Sequence, residues 1–183
     1  IDGISLDRLI RPANTDTRRQ LPIALYSSAL RGTADAAGES IYVQVARLGA
    51  AVASALQHAH AREIIHRDIK PANLIFDRDC RIWVTDFGLA KVADADADLS
   101  VSGATIATPR YMAPEQIRGK SDARSDIYSL GVTLYELLNG ERAWENADSK
   151  DLLTARSSLE LRSPAELNTD IQTDLANIVM TAC

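Results

Sequence analysis

Three short motifs that follow one another in a fixed order constrain this chain more than any other feature of its sequence. His-Arg-Asp-Ile-Lys-Pro-Ala-Asn occupies residues 66–73, Asp-Phe-Gly residues 86–88 and Ala-Pro-Glu residues 113–115. A His-Arg-Asp followed at the same spacing by an Asn arises by accident in a chain of this length on the order of once in a thousand sequences. The ordered set therefore indicates one fold and one chemistry rather than three unrelated turns.

The spacing of apolar residues predicts two long helices, one before these motifs and one after them. An amphipathic helix is predicted over residues 42–62 by apolar positions that recur every three or four residues, namely Val45, Leu48, Val52, Leu56 and Ala59. The same period returns over residues 126–138, through Ile127, Leu130 and Leu134. Asn139 and Gly140 then supply a C-terminal stop. We expect this second helix to be buried nearly all round.

Shorter elements are predicted between and beside these helices. Apolar runs at 64–65, 74–76 and 82–84 indicate strands, and turn-forming residues at 77–79 join the last two runs into a tight hairpin. Short helices are predicted at 5–10, where Ser5 is a capping residue, and at 151–156 and 170–183. Residues 11–40 and 92–108 lack periodicity, so we expect loops there, the first of them an insertion.

Composition argues against several classes of function. The chain has 183 residues with 46% apolar content, which suits one domain with one core. Its formal charge of −5 argues against a nucleic-acid partner, which requires a basic face. Cys80 and Cys183 lie far apart with no Cys-x-x-Cys pair, so neither a zinc site nor a disulfide framework is indicated and a reducing cytoplasm is expected.

The same sequence offers no membrane segment or secretory signal. The longest apolar-looking run, residues 43–56, is too short and too polar to cross a bilayer. The chain begins with Ile1 rather than Met, and no basic stretch followed by an apolar one opens it. We therefore expect a fragment of a longer protein, without a membrane segment of its own.

The ordered motifs resemble the catalytic core of a eukaryotic-type, or Hanks-type, serine/threonine protein kinase, as found in bacteria. The resemblance implies a mainly α protein: the large helical C-terminal lobe of the α+β protein-kinase-like fold, with short β-hairpins around the catalytic loop. It makes residues 1–183 a partial kinase domain, with residues 86–115 as the activation segment. It also implies transfer of the γ-phosphoryl group of ATP, with Mg²⁺, to Ser or Thr hydroxyls of protein substrates, a reaction of signalling.

The resemblance gives the catalytic residues their roles. Phosphoryl transfer needs a positioned acceptor hydroxyl and cations beside the phosphates. Asp68 is implied as the group that positions the hydroxyl and accepts its proton. Lys70 is implied as the cation beside the transferred phosphoryl group, where charge develops, and its place in the motif favours Ser/Thr over Tyr as the acceptor. Thr108 resembles the threonine that contacts both side chains and helps to select a Ser/Thr acceptor.

Cofactor binding is implied for residues of the same motifs. Asn73 and Asp86 are the implied magnesium ligands, since this hard cation prefers oxygen donors. Lys70 would contact the nucleotide, and Ile75 resembles the residue that packs under the adenine ring.

Four further residues are implied to support the site. His66 and Phe87 resemble members of a hydrophobic column that runs through the kinase core. Asp126 resembles the buried aspartate at a helix start that accepts hydrogen bonds from the catalytic-loop backbone. Glu115 resembles the glutamate that pairs with an arginine much nearer the C-terminus.

Regulation is implied by Arg67, which lies beside the catalytic aspartate and needs an anion. In kinases of this type the anion is a phosphate on the activation segment, for which Thr105 is the favoured acceptor over Ser100 and Ser102. Lys91 could share that phosphate. The alternative partner of Arg67 is a loop carboxylate, one of Asp94, Asp96 and Asp98.

Part of a complete kinase has no counterpart in the sequence. No Gly-x-Gly-x-x-Gly and no Val-Ala-x-Lys occur in residues 1–65, and the Asp-Pro-x-x-Arg stretch that the resemblance implies as the source of the arginine partner of Glu115 does not occur before residue 183. We therefore expect the small β-rich N-terminal lobe to be absent, the chain to stop before the last helix, and the isolated chain to be inactive. Two other interpretations remain: a small-molecule phosphotransferase, which has no need of Thr108 or Ala-Pro-Glu, and a non-catalytic binding or scaffold fragment.

Overall fold

A computed structural model describes residues 3–10, 40–77, 81–87, 109–144, 147–154 and 160–183. The predicted loops at 11–40 and 92–108 lie outside these residues, except for Ser40. The described part is mainly helical with one small sheet, as predicted. In chain order its elements are β1 (Gly3–Ser5), α1 (Asp7–Ile10), α2 (Ile41–His60), β2 (Leu74–Asp77), β3 (Ile82–Val84), α3 (Pro114–Ile117), α4 (Ala123–Asn139), α5 (Ser149–Thr154), α6 (Pro164–Leu167) and α7 (Thr173–Ala182), with single 3-10 turns at Pro71–Asn73 and Pro109–Tyr111.

The sheet has the antiparallel order β1-β2-β3. Its antiparallel pair β2–β3 is the predicted one, although residues 78 and 79 of the predicted turn lie outside the described residues. Strand β1 was not predicted, because a strand of three residues carries no usable period. The edge of β1 requires glycine: a Cβ on Gly3 would lie 2.2 Å from the carbonyl oxygen of Phe76. Ser5, which was predicted to cap a helix, is the last residue of β1, and α1 begins only at Asp7.

The predicted strand at 64–65 is wrong. The backbone N–H of Ile64 donates to the carbonyl oxygen of Ala59 (3.0 Å), in the turn that closes α2. Glu63 has a positive φ of 60°, the left-handed conformation that commonly ends a helix. The apolar pair thus follows a helix end directly and has no sheet partner.

Helix α2 packs its apolar stripe into the core, as predicted. The hydroxyl of Ser40 accepts from the backbone N–H of Tyr42 (3.3 Å) at its start. All five apolar positions of the predicted stripe are buried, and the helix packs against α4 and β3. At the α4 crossing, a Cβ on Gly49 would lie 2.9 Å from Cδ1 of Leu134, so the small residue permits a close approach.

Helix α4 forms the centre of the described part and packs against both α2 and α7. It begins at Ala123, before the predicted start, because Asp122 and Ser125 form a capping box: the Asp122 carboxylate accepts from Arg124 N (2.8 Å) and Ser125 Oγ accepts from Asp122 N (3.3 Å). It ends at Gly140, whose φ is 67°, as predicted. The helix is buried nearly all round, but Ile127 is 39% exposed, contrary to its place in the predicted stripe.

The C-terminal elements differ from prediction mainly in their bounds. Helix α5 begins at Ser149, two residues before the predicted start, and is described as Ser149–Thr154, so the predicted end at 156 lies outside the described residues. Helix α7 begins at Thr173 rather than 170, because Asn168 accepts from the backbone N–H groups of Asp170 (3.0 Å, side chain) and Ile171 (3.1 Å, backbone) in a preceding turn. The short α6 was not predicted. A Cβ on Gly131 would lie 2.8 Å from Cβ of Ala182, so α7 packs tightly on α4.

Candidate active site

The loop that carries residues 66–70 is fixed to α4 by one buried carboxylate. Asp126, in the first turn of α4, is fully buried. Its Oδ1 accepts from the backbone N–H of Arg67 (2.7 Å), and its Oδ2 accepts from that of His66 (2.9 Å). Oδ2 also lies 2.7 Å from Nε2 of His60, at the end of α2. A single side chain therefore ties two helices to the loop.

His66 connects this loop to the residues before Asp86. Its ring is buried, and Nε2 lies 2.8 Å from the carbonyl oxygen of Thr85. Since a carbonyl only accepts, Nε2 carries the proton and donates. The other nitrogen, Nδ1, accepts from the backbone N–H of Asp68 (3.3 Å). The neutral ring with its proton on Nε2 satisfies both contacts at once.

Asp68, Lys70 and Asn73 meet through one carboxylate oxygen. Oδ2 of Asp68 lies 2.7 Å from Nζ of Lys70 and accepts from Nδ2 of Asn73 at 3.0 Å. Nδ2 of Asn73 also donates to the backbone carbonyl of Asp68 (2.8 Å). The carboxylate is therefore oriented from one side, and no described residue forms a hydrogen bond with its Oδ1.

The backbone of Asn73 brings Asp86 towards the same loop. Its carbonyl oxygen accepts from both the N–H (2.9 Å) and the hydroxyl (3.2 Å) of Thr85, which directly precedes Asp86. Asp86 itself is exposed and has a positive φ of 63°, as does Arg67 at 68°. Non-glycine residues in this conformation cost about 1 to 3 kcal/mol each and cluster at functional sites.

The oxygen donors on this loop fit a magnesium-bound nucleotide. Because Nδ2 of Asn73 is engaged with Asp68, the group it leaves available is its amide oxygen, and Asp86 offers an exposed carboxylate. Within the described ranges there is no cluster of three or more His, Cys, Asp or Glu side chains able to hold a metal. A Mg²⁺ held here would complete its shell with phosphates and water, as this ion usually does.

Phe87 and Ile75 lie at the edges of the site. The Phe87 ring packs edge-on against His66, with centroids 4.5 Å apart, and it is 41% exposed. It lines an open, mainly apolar cavity of about 660 Å³ between α2 and β3. Ile75, on β2, is half-buried and pairs in register with Trp83 of β3 and Ser5 of β1.

Arg67 is the most unusual polar residue of the loop. Its Nε is buried and has no hydrogen-bond partner among the described residues. Buried donors are almost always paired, so this one marks a place for an acceptor. The proposed loop partners, Asp94, Asp96, Asp98 and the candidate phosphate on Thr105, lie outside the described residues, as do Lys91 and Thr108.

Glu115 of Ala-Pro-Glu has a hydrogen-bond partner in the described part of the chain. It is half-buried, and its Oε1 accepts from the hydroxyl of Ser125 (2.6 Å), a fully buried residue in the first turn of α4. The segment that ends in Ala-Pro-Glu is thus tied to the same helix turn that carries Asp126.

A second buried carboxylate was missed by the sequence reasoning. Glu136 on α4 is fully buried; its Oε2 accepts from the hydroxyl of Tyr111 (2.7 Å) and its Oε1 from the backbone N–H of Ala143 (2.9 Å). Arg110 donates from Nη1 to the carbonyl oxygen of Ala143. Burial, and then the Glu136 carboxylate, raise the pKa of Tyr111, so its hydroxyl stays protonated and donates.

Glu136 is expected to make stability depend on pH. Burial raises the pKa of Glu136 above its ordinary value of 4.5. Its contribution to stability is therefore fully present below that value and is lost as pH rises through the raised pKa. Glu136→Gln removes this titration, so the free energy of unfolding of the wild type minus that of the variant should fall as pH rises above 4.5, in urea denaturation at several pH values. The exposed Glu160→Gln is the control, and a difference for Glu136→Gln that does not change with pH would contradict the expectation.

Three residues of this site had no signal in the sequence. His60 follows the last apolar position of the predicted helix as an ordinary polar residue, and Glu136 sits within a stripe of apolar residues. Gln116 follows Ala-Pro-Glu as an ordinary polar helix residue. Their partners Asp126, Tyr111 and Arg67 are distant in sequence, so only the folded chain brings the pairs together.

Comparison with known proteins agrees with this geometry. The protein kinase domain family matches residues 31–179, which is most of the chain. This chain belongs to the protein kinase domain family. Serine/threonine-protein kinase Pkn1 of Myxococcus xanthus is 37% identical over 160 residues, which cover 85% of this chain and 22% of that protein. Serine/threonine-protein kinase PknB of Mycobacterium leprae is 36% identical over 140 residues, covering 76% of this chain and 22% of that protein.

A shorter match is closer in sequence. PknB of Mycolicibacterium smegmatis is 48% identical over 89 residues, which cover 48% of this chain and 14% of that protein. The chain therefore spans less than a quarter of the length of these curated relatives. Among the helices that the structure describes, none combines the length and apolar content needed to cross a membrane.

Proposed function

We propose that this chain is the acceptor-binding and metal-binding part of a protein serine/threonine kinase, which transfers the γ-phosphoryl group of ATP to Ser and Thr hydroxyls of protein substrates. One observation carries the proposal: the Asp68 carboxylate is held through Oδ2 by Lys70 and Asn73, while its Oδ1 has no hydrogen bond with any described residue. The family membership and the printed names of the relatives support the same reaction.

Asp68 is the proposed catalytic residue. Its Oδ1 would accept a hydrogen bond from the substrate hydroxyl and take up the proton as the new O–P bond forms. Holding Oδ2 from the opposite side fixes the direction of Oδ1, so that less conformational freedom is lost when substrate binds. Lys70 forms an ion pair with the Asp68 carboxylate in this structure. During the reaction its ammonium would contact the transferred phosphoryl group, where negative charge develops. Thr108 is proposed to contact both groups and favour Ser or Thr acceptors.

The remaining oxygen donors are proposed to hold the metal-bound nucleotide. Magnesium-bound ATP supplies the phosphoryl group that is transferred. The amide oxygen of Asn73 and the carboxylate of Asp86 would bind the metal, and Ile75 would contact the adenine ring from β2. His66 and Asp126 would keep Asp68 and the Thr85–Asp86 segment in register, because each has hydrogen bonds with the backbone of the loop.

A regulatory role is proposed for Arg67. Its Nε is buried and has no hydrogen-bond partner within the described ranges, which supports an anion close to the loop, and a phosphate on Thr105, shared with Lys91, would supply one. Phosphorylation would then place a negative charge of the segment 86–115 beside the positive charge of Arg67. Since ATP is the donor and the cysteines show no disulfide framework, we place this domain in the cytoplasm.

The test uses the full-length protein that contains this chain. With γ-labelled ATP, Mg²⁺ and a basic, Ser/Thr-containing protein, we expect label in phosphoserine and phosphothreonine, lost when a chelator removes Mg²⁺. Mass spectrometry of the same mixture should find phosphate on Thr105, and Thr105→Ala should lower the activity. A full-length protein that transfers no phosphate would contradict the proposal and favour a binding or scaffold module. Phosphate absent from residues 86–115 would contradict only the regulatory role.

A further inference from the structure

The peptide that links Arg67 to Asp68 is held at both of its polar ends. Its N–H belongs to Asp68 and donates to Nδ1 of His66 (3.3 Å). Its carbonyl belongs to Arg67 and accepts from Nε2 of Gln116 (3.1 Å). Because a peptide is planar, these two contacts fix the rotation of the plane from which the Asp68 side chain projects.

This plane needs support, because the residue before it is in an unfavourable conformation. Arg67 has a φ of 68°, which costs a non-glycine residue about 1 to 3 kcal/mol and persists only where the surroundings impose it. The N–H of Arg67 is fixed by Asp126 at 2.7 Å. Gln116 fixes the carbonyl group of Arg67 by its hydrogen bond, as Asp126 fixes the N–H group.

The carboxamide of Gln116 is itself oriented. Its Oε1 accepts from the backbone N–H of Ala113 (2.8 Å), at the start of α3. Ala113 has no polar side chain, so Gln116 provides the side-chain half of the helix cap. With Oε1 fixed in this way, Nε2 points to Arg67, and one side chain joins the end of the 86–115 segment to the loop that carries Asp68.

We propose that Gln116 is a positioning residue for phosphoryl transfer, acting on Asp68 through the Arg67–Asp68 peptide; this inference rests on the proposed function. The planar carboxamide of Gln116 uses its oxygen as an acceptor for Ala113 and its nitrogen as a donor to Arg67. Glutamate keeps the acceptor and loses the donor, and alanine loses both. The Ala-Pro-Glu segment and the catalytic loop thus share one connection, which makes the orientation of Asp68 depend on the position of that segment.

The test compares Gln116→Glu and Gln116→Ala with the wild type in the full-length protein, using the phosphotransfer assay above. Both variants are expected to lower kcat about tenfold, while KM for ATP and for the protein substrate changes less than about twofold, because the lost hydrogen bond orients a group and binds no substrate. Gln172→Glu, the same change at an exposed glutamine, is the control and should leave kcat unchanged. Unchanged kcat in both Gln116 variants, or a raised KM with unchanged kcat, would overturn the inference.

A second measurement is independent of activity. Amide hydrogen exchange in residues 66–69 should be about tenfold faster in Gln116→Glu than in the wild type, with exchange in α4 unchanged. Equal exchange in residues 66–69 would overturn the inference, as would faster exchange throughout α4, which indicates general loss of stability. A wild type without activity would contradict the proposed function, and the exchange result would still decide the role of Gln116.

Discussion

Asp68→Asn is expected to lower kcat of the full-length protein about a thousandfold, within the range of 10² to 10⁴ that general acid–base groups contribute. Asparagine preserves the shape of the side chain, and its amide oxygen can accept from Lys70 and Asn73 in place of Oδ2. It cannot take up the proton of the substrate hydroxyl. The change therefore removes the chemistry while keeping the contacts that hold the loop.

The steady-state constants separate this role from a structural one. KM for ATP should change by less than about threefold, since Asp68 contacts the acceptor rather than the nucleotide. Asp174→Asn, at an exposed position in α7, is the control and should keep full activity. A kcat above about one tenth of the wild-type value for Asp68→Asn would show that another group accepts the proton.

Asp126→Ala is expected to lower the free energy of unfolding of the kinase domain by about 3 to 5 kcal/mol. The carboxylate is fully buried, and its removal leaves the N–H groups of His66 and Arg67 and the ring of His60 without their acceptor. Buried donors that lose an acceptor pay the full cost of desolvation, which is why the effect exceeds that of one hydrogen bond. Urea denaturation measures the change.

A milder variant and a control make this prediction specific. Asp126→Asn keeps one acceptor oxygen and turns an amide group towards a donor, so we expect a loss of about 1 to 3 kcal/mol. Asp170→Ala, at an exposed aspartate, should stay within about 0.5 kcal/mol of the wild type. A loss below about 1 kcal/mol for Asp126→Ala would contradict the role of this carboxylate as the anchor of the loop.

Elements with a long repeated pattern were predictable, and short ones were predictable only in part. The apolar periods of α2 and α4 extend over several turns, so each period predicted its helix. Gly140 predicted the end of α4, because glycine readily adopts the left-handed conformation that ends a helix. By contrast, β1 is too short to show a period, and the pair at 64–65 looks apolar enough for a strand although its backbone completes a helix end. The exposed Ile127 shows that a helical period does not determine which neighbours will cover each face.

For the site, the sequence motifs indicated the proposed reacting groups and the support of the loop by Asp126, but not the further contacts that hold them. Asp68, Lys70 and Asn73 lie within six residues, so their meeting at one carboxylate oxygen follows from a local turn. The contacts of His60, Gln116 and Glu136 join residues that are distant in the chain, and no local pattern distinguishes these side chains from ordinary surface or helix residues.

The sequence alone determined the family of this chain, its helical character and the residues that would carry the chemistry, because those depend on residue types at fixed, short spacings. Only the tertiary structure decided that His60 binds the Asp126 carboxylate and so ties a second helix to the loop, that the Nε of Arg67 is buried without a described partner, and that Gln116 contacts the peptide before Asp68. Each of these depends on burial and on the direction of a hydrogen bond between distant segments, and both arise only when the helices pack.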